Sequence, residues 1–426
     1  MIAPAADHRC AGGGSAAWAT LVGWIFALVY LGMLLGRYPR LQLDRTGIAL
    51  LGAIALLASG ALDLDGAVAA VDWATVSVLF ALMVVSAQLR LGGFYTRVSA
   101  AITARPWPPA RLLAGQVAVT GLLAAVFTND IVCLAVAPVV LRACVRRGLD
   151  PLPHLLGVAC AANVGSAATL IGNPQNILIG ERLGLGFASY LGVAAPPALA
   201  GLVVVWAVIA WQYRGRWQAP AAAIAAPAEA LLPAWDGWQA GKGLAVVGLL
   251  LLAFLFGDWP RYAVALAAAG VLLTSRRLHS RQTLGLVDWQ LLVLFVGLFV
   301  VNAAFQATGL PDRGVAAAAT AGIDLTHPGW LFALTLALSN LVSNVPAVML
   351  LLPLADGPVG GPLLALASTL AGNLLLVGSI ANLIVADIAL RHGVAFGWAA
   401  HARSGVPVTL LTLVLAAGWL AWIHGG

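Results

Sequence analysis

Asn129, Asp130, Asn173, Gln175, Asn176, Asn344 and Asn382 stand inside stretches built otherwise almost wholly from Leu, Val, Ile and Ala. Those stretches read FTNDIVCLAVAPVV, GNPQNILIGE, LVSNVPAVMLLLPL and GSIANLIVAD. Amide side chains and carbonyls released from a helix can replace the water shell of a small cation. Half-helix N-termini present N–H groups and the positive end of a dipole to an anion. Residues of these types suit the binding of small ions rather than bond chemistry. The chain has no G-x-x-x-x-G-K-[ST], H-E-x-x-H or G-x-S-x-G motif, so neither nucleotide-driven pumping nor metallopeptidase or serine-hydrolase catalysis is expected.

The elements that must position these residues are membrane helices. Apolar residues make up 62% of the 426 and charged residues 9%, against about 45–50% and 25% in soluble domains. We expect an all-α polytopic membrane protein with ten spans near 18–36, 47–64, 72–89, 151–180, 188–213, 243–257, 260–275, 287–305, 362–390 and 404–423. Two interrupted segments, 111–141 and 328–354, are expected to be re-entrant hairpins that enter and leave on one side. The first apolar run follows a single arginine, Arg9, and reads as a retained span rather than a cleaved leader.

The chain repeats itself. VDWATVSVLFALMVVSAQLRLGGF from Val71 aligns without a gap on VDWQLLVLFVGLFVVNAAFQATGL from Val287, at an offset of 216. Asn129 and Pro138 match Asn344 and Pro353 at 215, and Gly172, Asn176 and Glu181 match Gly378, Asn382 and Asp387 at 206. Five spans per half make the second half an inverted copy of the first. The expected organisation is a first repeat at 1–213 with hairpin 111–141 and broken helix 151–184, and a cytoplasmic Ala/Pro-rich linker at 214–242. A second repeat follows at 243–426, with hairpin 328–354 and broken helix 362–390.

A broken helix leaves backbone groups without partners, so it persists only where protein or a water-filled cavity covers it. Interruptions at matching places in inverted repeats point to a midplane binding site in a secondary transporter. The candidate site is accordingly Thr128, Asn129 and Asp130 at one tip, with Gly172, Asn173, Pro174, Gln175 and Asn176 at the adjoining break. Its other half is Ser343, Asn344 and Val345, with Gly378, Ser379 and Asn382. The plainer account is that Asn129 and Asn344 cap helices while Gly172 and Pro174 kink one. Asp130 would then be the N-cap of a helix beginning at Ile131, and otherwise an intramembrane carboxylate that marks an ion or proton path.

The four motifs FTNDIVCLAVAPVVL, GSAATLIGNPQNILIG, LVSNVPAVMLLLPL and GNLLLVGSIANLIVAD resemble the paired signatures of the ion transporter superfamily with citrate-transporter-like domains. The resemblance runs from about Val71 to Gly405. That superfamily includes divalent anion/sodium symporters, arsenite efflux permeases and some sodium/proton antiporters. The resemblance implies a homodimer with an elevator-like motion; from the repeat and the residue spacing, Na+ or H+ is expected to couple at the same residues, with no resident metal or cofactor. The dicarboxylate branch carries Ser-Asn-Thr at both tips, where this chain has Thr-Asn-Asp and Ser-Asn-Val. The acidic first tip is closer to arsenite permeases, whereas GNPQNILIG and GSIANLIVAD also suit a group described only as anion transporters. The expected function is secondary active transport of a small anion across the inner membrane, with arsenite efflux or sodium/proton antiport as the alternative. A passive channel, which needs a continuous pore, fits less well.

The remaining polar residues read as structural. Asp72 and Asp288 precede Trp73 and Trp289 at the interface, and Glu181 and Asp387 lie near helix ends. Cys10, Cys133, Cys144 and Cys160 have no C-x-x-C spacing, and the seven histidines have no ligand spacing and read as exposed loop residues. The net charge of +6 is dispersed over short loops and forms no nucleic-acid face. On the span map eighteen of the 22 Lys and Arg residues face one side, and only Arg9, Arg182, Arg261 and Arg313 face the other. The majority side is therefore expected in the cytoplasm and both termini outside. With Cys133, Cys144 and Cys160 replaced, Cys10 should react with an impermeant thiol reagent on intact cells; reaction only after lysis overturns this topology.

Overall fold

The computed structural model describes residues 16–36, 42–218 and 234–424. Cys10, Arg9, Arg37, Arg40 and most of the expected linker lie outside them. The first half forms α1 Ala16–Leu35, α2 Arg45–Ala58, α3 Leu64–Ala70, α4 Trp73–Leu91, α5 Phe94–Thr103, α6 Pro109–Val126, α7 Asn129–Arg146, α8 Pro151–Ser166, α9 Pro174–Arg182 and α10 Phe187–Gln212. The second forms α11 Gly237–Phe256, α12 Arg261–Leu273, α13 Ser280–Leu284, α14 Trp289–Ala307, α15 Leu310–Thr320, α16 Pro328–Val342, α17 Asn344–Leu351, α18 Gly357–Ala371, α19 Ile380–Arg391 and α20 Trp398–His424. Among the described residues seven helices, α1, α4, α6, α10, α11, α14 and α20, are long and apolar enough to cross a membrane. The protein is a multi-pass membrane protein.

The expected spans 151–180 and 362–390 are each two helices separated by irregular chain, at 167–173 and 372–379. The short helices α3, α5, α13 and α15 were not anticipated; they are too short to show the long apolar run on which the span map was built. Asp72 and Asp288 cap α4 and α14, accepting from Thr75 N at 2.8 Å and Leu291 N at 3.0 Å. Trp73 and Trp289 behind them are half-exposed, as interfacial anchors are.

The chain forms two compact units, and each draws on both halves of the sequence. One comprises Met1–Val76 and Asp288–Trp330. In it α2 and α14 pack closely because Gly297 lies against the backbone of Ala49, and Tyr30 Oη donates to Asn302 Oδ1 at 2.9 Å.

The other unit, Ser77–Val287 and Leu331–Gly426, contains every candidate site residue. Its core is the pair α6 and α8, side by side and parallel. Leu113 meets Gly157, Gly121 meets Gly165, and Thr169 Oγ1 donates to Ala125 O at 2.5 Å, all at a constant separation of 44 residues. The α6–α7 hairpin begins and ends at one end of this unit, since Arg147 at the foot of α7 donates to Arg105 O at 3.1 Å and Trp107 O at 2.6 Å. Its tip reaches the α8–α9 break, where Asn129 N donates to Gly172 O at 3.0 Å.

α10 and α20 run antiparallel, tied by Trp419 Nε1 to Val193 O at 2.8 Å and Gln212 Nε2 to Arg403 O at 2.7 Å, with Gly201 against Thr412 between. Asp150 N reaches Trp217 O at 2.8 Å, Lys242 Nζ reaches Thr274 O at 3.1 Å, and Arg261 pairs with Glu181 at 2.7 Å. Each of these contacts joins loops that the arginine distribution puts on one side.

A Cβ at Gly165 would lie 2.2 Å from Gly121 O, a backbone atom that cannot move aside without parting α6 from α8. Gly165→Ala should abolish monodisperse protein on size exclusion, whereas Gly241→Ala, with nothing within 4 Å, should behave as wild type. A monodisperse Gly165→Ala of unchanged melting temperature contradicts the packing.

Candidate functional site at two helix breaks

α8 ends at Ser166 and α9 begins at Pro174. Proline at the first helical position costs nothing, because the N–H it lacks has no intrahelical partner there. Asn173 is the N-cap, its Oδ1 accepting from Asn176 N at 2.9 Å. Asn176 Nδ2 then reaches back across the gap to Ser166 O at 3.4 Å and Thr169 O at 3.0 Å, so the break supplies donors for carbonyls that it frees. Gly172 must be glycine, since a Cβ there would lie 2.2 Å from Ser166 O.

The second break repeats this at an offset of 206. Asn382 Nδ2 donates to Gly372 O at 2.8 Å and Leu375 O at 3.4 Å, and Ser379 Oγ accepts from Ala381 N at 3.2 Å as N-cap of α19. Gly378 ends a 3-10 turn, Leu376–Gly378, with Asn340 Oδ1 3.0 Å from where its Cβ would be. The carbonyls of Ala167 and Asn373, also 206 apart, are each met from the next long helix, by Tyr190 Oη at 2.9 Å and by His401 Nε2 at 3.0 Å. His401 therefore carries its proton on Nε2 to donate there.

The breaks grip each other through Asn163 and Thr369, again 206 apart. Asn163 Nδ2 donates to Asn382 Oδ1 at 3.0 Å, and Thr369 Oγ1 to Asn176 Oδ1 at 3.2 Å. Ser379 Oγ donates to Asn163 Oδ1 at 2.9 Å, and Asn173 Nδ2 to Thr369 Oγ1 at 3.1 Å. Gln175 Nε2 joins Thr369 Oγ1 at 3.2 Å. Asn163 also donates to Asn373 Oδ1 at 2.8 Å and accepts from Asn129 Nδ2 at 3.1 Å, which fills both donors and both lone pairs of its amide.

The hairpin tips meet this network. Thr128, not Asp130, occupies the N-cap position of α7, and its side chain makes no capping bond. Asn129 is buried with Oδ1 unpartnered, a free acceptor beside the break. Asp130 lies in the first turn of α7, half-buried, where the helix dipole favours a carboxylate. At the second tip Ser343 has φ +80°, the one positive φ outside glycine among the described residues. Such backbone costs ~1–3 kcal/mol and persists where the surroundings enforce it. With its amide nitrogen as donor, Asn344 reaches Ser368 O at 3.1 Å and Gly378 O at 3.2 Å. Val345 is buried and adds an apolar side chain.

All four interruptions therefore lie together in one buried polar cluster. The sequence reading missed Asn163, Thr369, Tyr190 and His401, which stand inside apolar helices, and Asn373, which lies in the second break itself. Asn163 and Thr369 share the 206 offset and were legible from it. His154 and His401 are fully buried, which corrects their reading as exposed loop residues: each opens a helix whose first turns are covered by neighbours. Glu181 and Asp387 pair with Arg261 and Arg391 at 2.7 Å, as helix-end charges do.

Against known proteins, the citrate transporter family matches residues 21–371. This chain belongs to that family. It is 29% identical over 409 residues to an uncharacterized transporter, Rv2685, of Mycobacterium tuberculosis (90% of this chain, 94% of the relative). To the silicon efflux transporter LSI3 of Oryza sativa it is 29% identical over 452 residues (88% and 92%). The inner membrane protein YbiR of Escherichia coli is 32% identical over 333 residues (75% and 81%). The fold is similar to the crystal structure of the Alcanivorax borkumensis YdaH transporter, with a TM-score of 0.56 and 14% identity over 96% of this chain and 98% of that one. The protein is thus a membrane transporter of the citrate transporter family.

Asn163→Ala removes four interhelical bonds, each worth ~0.6 kcal/mol in membrane proteins, so roughly 2 kcal/mol in sum. Its melting temperature in detergent should fall clearly below that of Asn129→Ala, which removes one of the four. Equal melting of the two variants would remove Asn163 from the centre of the network.

Proposed function

We propose that this chain is a secondary active transporter of a small anion, driven by a sodium or proton gradient, with the two tips and two breaks as its substrate and ion site. The observation that carries this reading is the reciprocal contact of matched residues, Asn163 with Asn382 and Thr369 with Asn176. Contacts exchanged in this way are those of two units related by a two-fold axis through the site. The antiparallel packing of α10 on α20 supports the inverted arrangement, with 1–213 and 243–426 as the repeats and the α6–α7 and α16–α17 pairs as re-entrant hairpins. The membrane is the inner membrane and both termini lie outside, on the arginine distribution. A homodimer with an elevator-like motion remains the expectation from the family resemblance.

The N-termini of α7, α9, α17 and α19 present the positive ends of their dipoles to an anion, and Asn129 Oδ1 offers an acceptor for a cation or a hydroxyl. A second reading is export of a small hydroxylated weak acid such as arsenite. It is favoured by the network itself, whose side chains are amides and hydroxyls with His401 and no Lys or Arg, a lining that suits an uncharged solute. The likeness to a silicon efflux transporter points the same way.

Proteoliposome flux separates the readings. Citrate, phosphate and arsenite are tested under imposed sodium, proton and zero gradients. Anion accumulation that collapses with one gradient supports the first reading, and arsenite flux alone supports the second. Asn129→Ala and Asn344→Ala should each reduce transport at least about tenfold, one lost transition-state contact, with normal expression; wild-type rates in both variants displace the site. Asp130→Asn removes a titratable charge that desolvation and bound ions both influence. It should abolish gradient-driven accumulation across pH 5.5–8.5 and spare substrate-for-substrate exchange, and unchanged accumulation denies Asp130 the coupling role.

A further inference from the structure

A second site lies away from the breaks, at the foot of α7. Between α5 and α7 the structure has a cavity of about 640 Å³ walled by Arg105, Arg142, Arg146 and Arg147, with no acidic residue in its lining. Its other walls are small and apolar, Ala100 on α5 and Val139 on α7 among them. Arg142 and Arg146 are one helical turn apart and so share the face of α7 that looks onto the cavity.

Arg147 is the frame. Its guanidinium is fixed by the carbonyls of Thr103, Arg105 and Trp107, at 3.4, 3.1 and 2.6 Å, and this holds the end of α5 open against α7. Gathering four guanidinium groups around one hollow costs repulsion, part of which the negative end of the α7 dipole offsets and part of which a bound anion would offset. Topological retention in the cytoplasm requires only the number of arginines; it requires neither a cavity nor a fixed frame.

We propose that this cavity binds a phosphate-bearing anion, the headgroup of an anionic phospholipid. Guanidinium groups match phosphate oxygens two at a time, and basic hollows between membrane helices at the cytoplasmic face are where anionic headgroups dock. The size favours lipid over free phosphate, because the volume falls in the range of drug-sized pockets, about 300–1,000 Å³, and exceeds what one phosphate fills. The apolar wall at Ala100 and Val139 accepts the glycerol and the first acyl carbons.

Native mass spectrometry of detergent-exchanged protein tests this with phosphatidylglycerol, phosphatidylcholine and glycerol 3-phosphate. One phosphatidylglycerol should be retained in preference to phosphatidylcholine. The Arg142→Gln/Arg146→Gln double variant should bind it at least about tenfold more weakly, two charge-assisted contacts having gone, while Arg→Lys at both positions recovers part of the binding. Displacement by glycerol 3-phosphate with the same arginine dependence keeps the phosphate site and makes its natural ligand soluble; no displacement assigns it to lipid. Equal retention of both lipids, or undiminished phosphatidylglycerol binding in the double variant, overturns the proposal. Should the double variant lose its wild-type melting temperature, the exposed single variant Arg146→Gln is used, with a loss of several-fold expected and no loss refuting the site.

Discussion

A helix interrupted inside a membrane must find partners for the carbonyls it releases, and in this chain the partners come from the restarted helix itself. Asn176 and Asn382 each stand three residues beyond an N-cap and reach back to two carbonyls of the preceding gap. In hydrocarbon each unmet group costs several kcal/mol. Those two amides, with Tyr190, His401 and the main chain of Asn129, are therefore the condition on which the breaks exist, and the candidate site depends on the breaks. The same amides present their oxygens to Thr369 and Asn163. Closing one gap thus ties it to the helix before the other.

This arrangement restricts what the cluster can do. A network of neutral amides and hydroxyls is fully paired at Asn163 and open at Asn129 Oδ1. Asn129 Nδ2 donates to Asn163 Oδ1 while its main-chain N–H meets Gly172 O, so one residue ties the tip both to α8 and to the break. At the other tip Ser343 holds φ +80°, a strained backbone that the surrounding packing enforces.

Much of this was legible in the sequence. The tips and breaks appear as polar letters in apolar runs, and their convergence follows from the cost of bare backbone in lipid. The periodicity of apolar residues gave no boundary between α8 and α9, because both are buried all round; the glycine, proline and asparagines of GNPQN marked it instead. Asn163 and Thr369 were missed because an isolated polar residue within an apolar helix carries no local signal, and Asn373 because the break was expected only from Gly378 onward. His401 was missed because burial at the start of α20 depends on packing against the break of another helix. α5, ten residues long and the wall of the arginine cavity, has neither the length nor the hydropathy to register as a span.

Where the halves depart from one another carries its own argument. On the inverted-repeat reading, the departures between the halves are what makes the two faces of the cluster unlike. Those at the tips and breaks can be named. The tips read Thr-Asn-Asp and Ser-Asn-Val, so only one carries a carboxylate. The main-chain N–H of Asn129 meets Gly172 O, whereas at the other tip the side chain of Asn344 meets Gly378 O. The carbonyl of Ala167 is held by a tyrosine and its counterpart on Asn373 by a histidine. The tyrosine oxygen that donates there also accepts from Asn176 Nδ2 at 3.2 Å, whereas the imidazole that donates through Nε2 leaves Nδ1 without a partner. His401 is joined to the first tip through Asn373, Asn163 and Asn129. That path leaves two buried acceptors unfilled, Asn129 Oδ1 at one end and His401 Nδ1 at the other. The two halves thus share one scaffold and differ in the hydrogen-bonding groups that complete it.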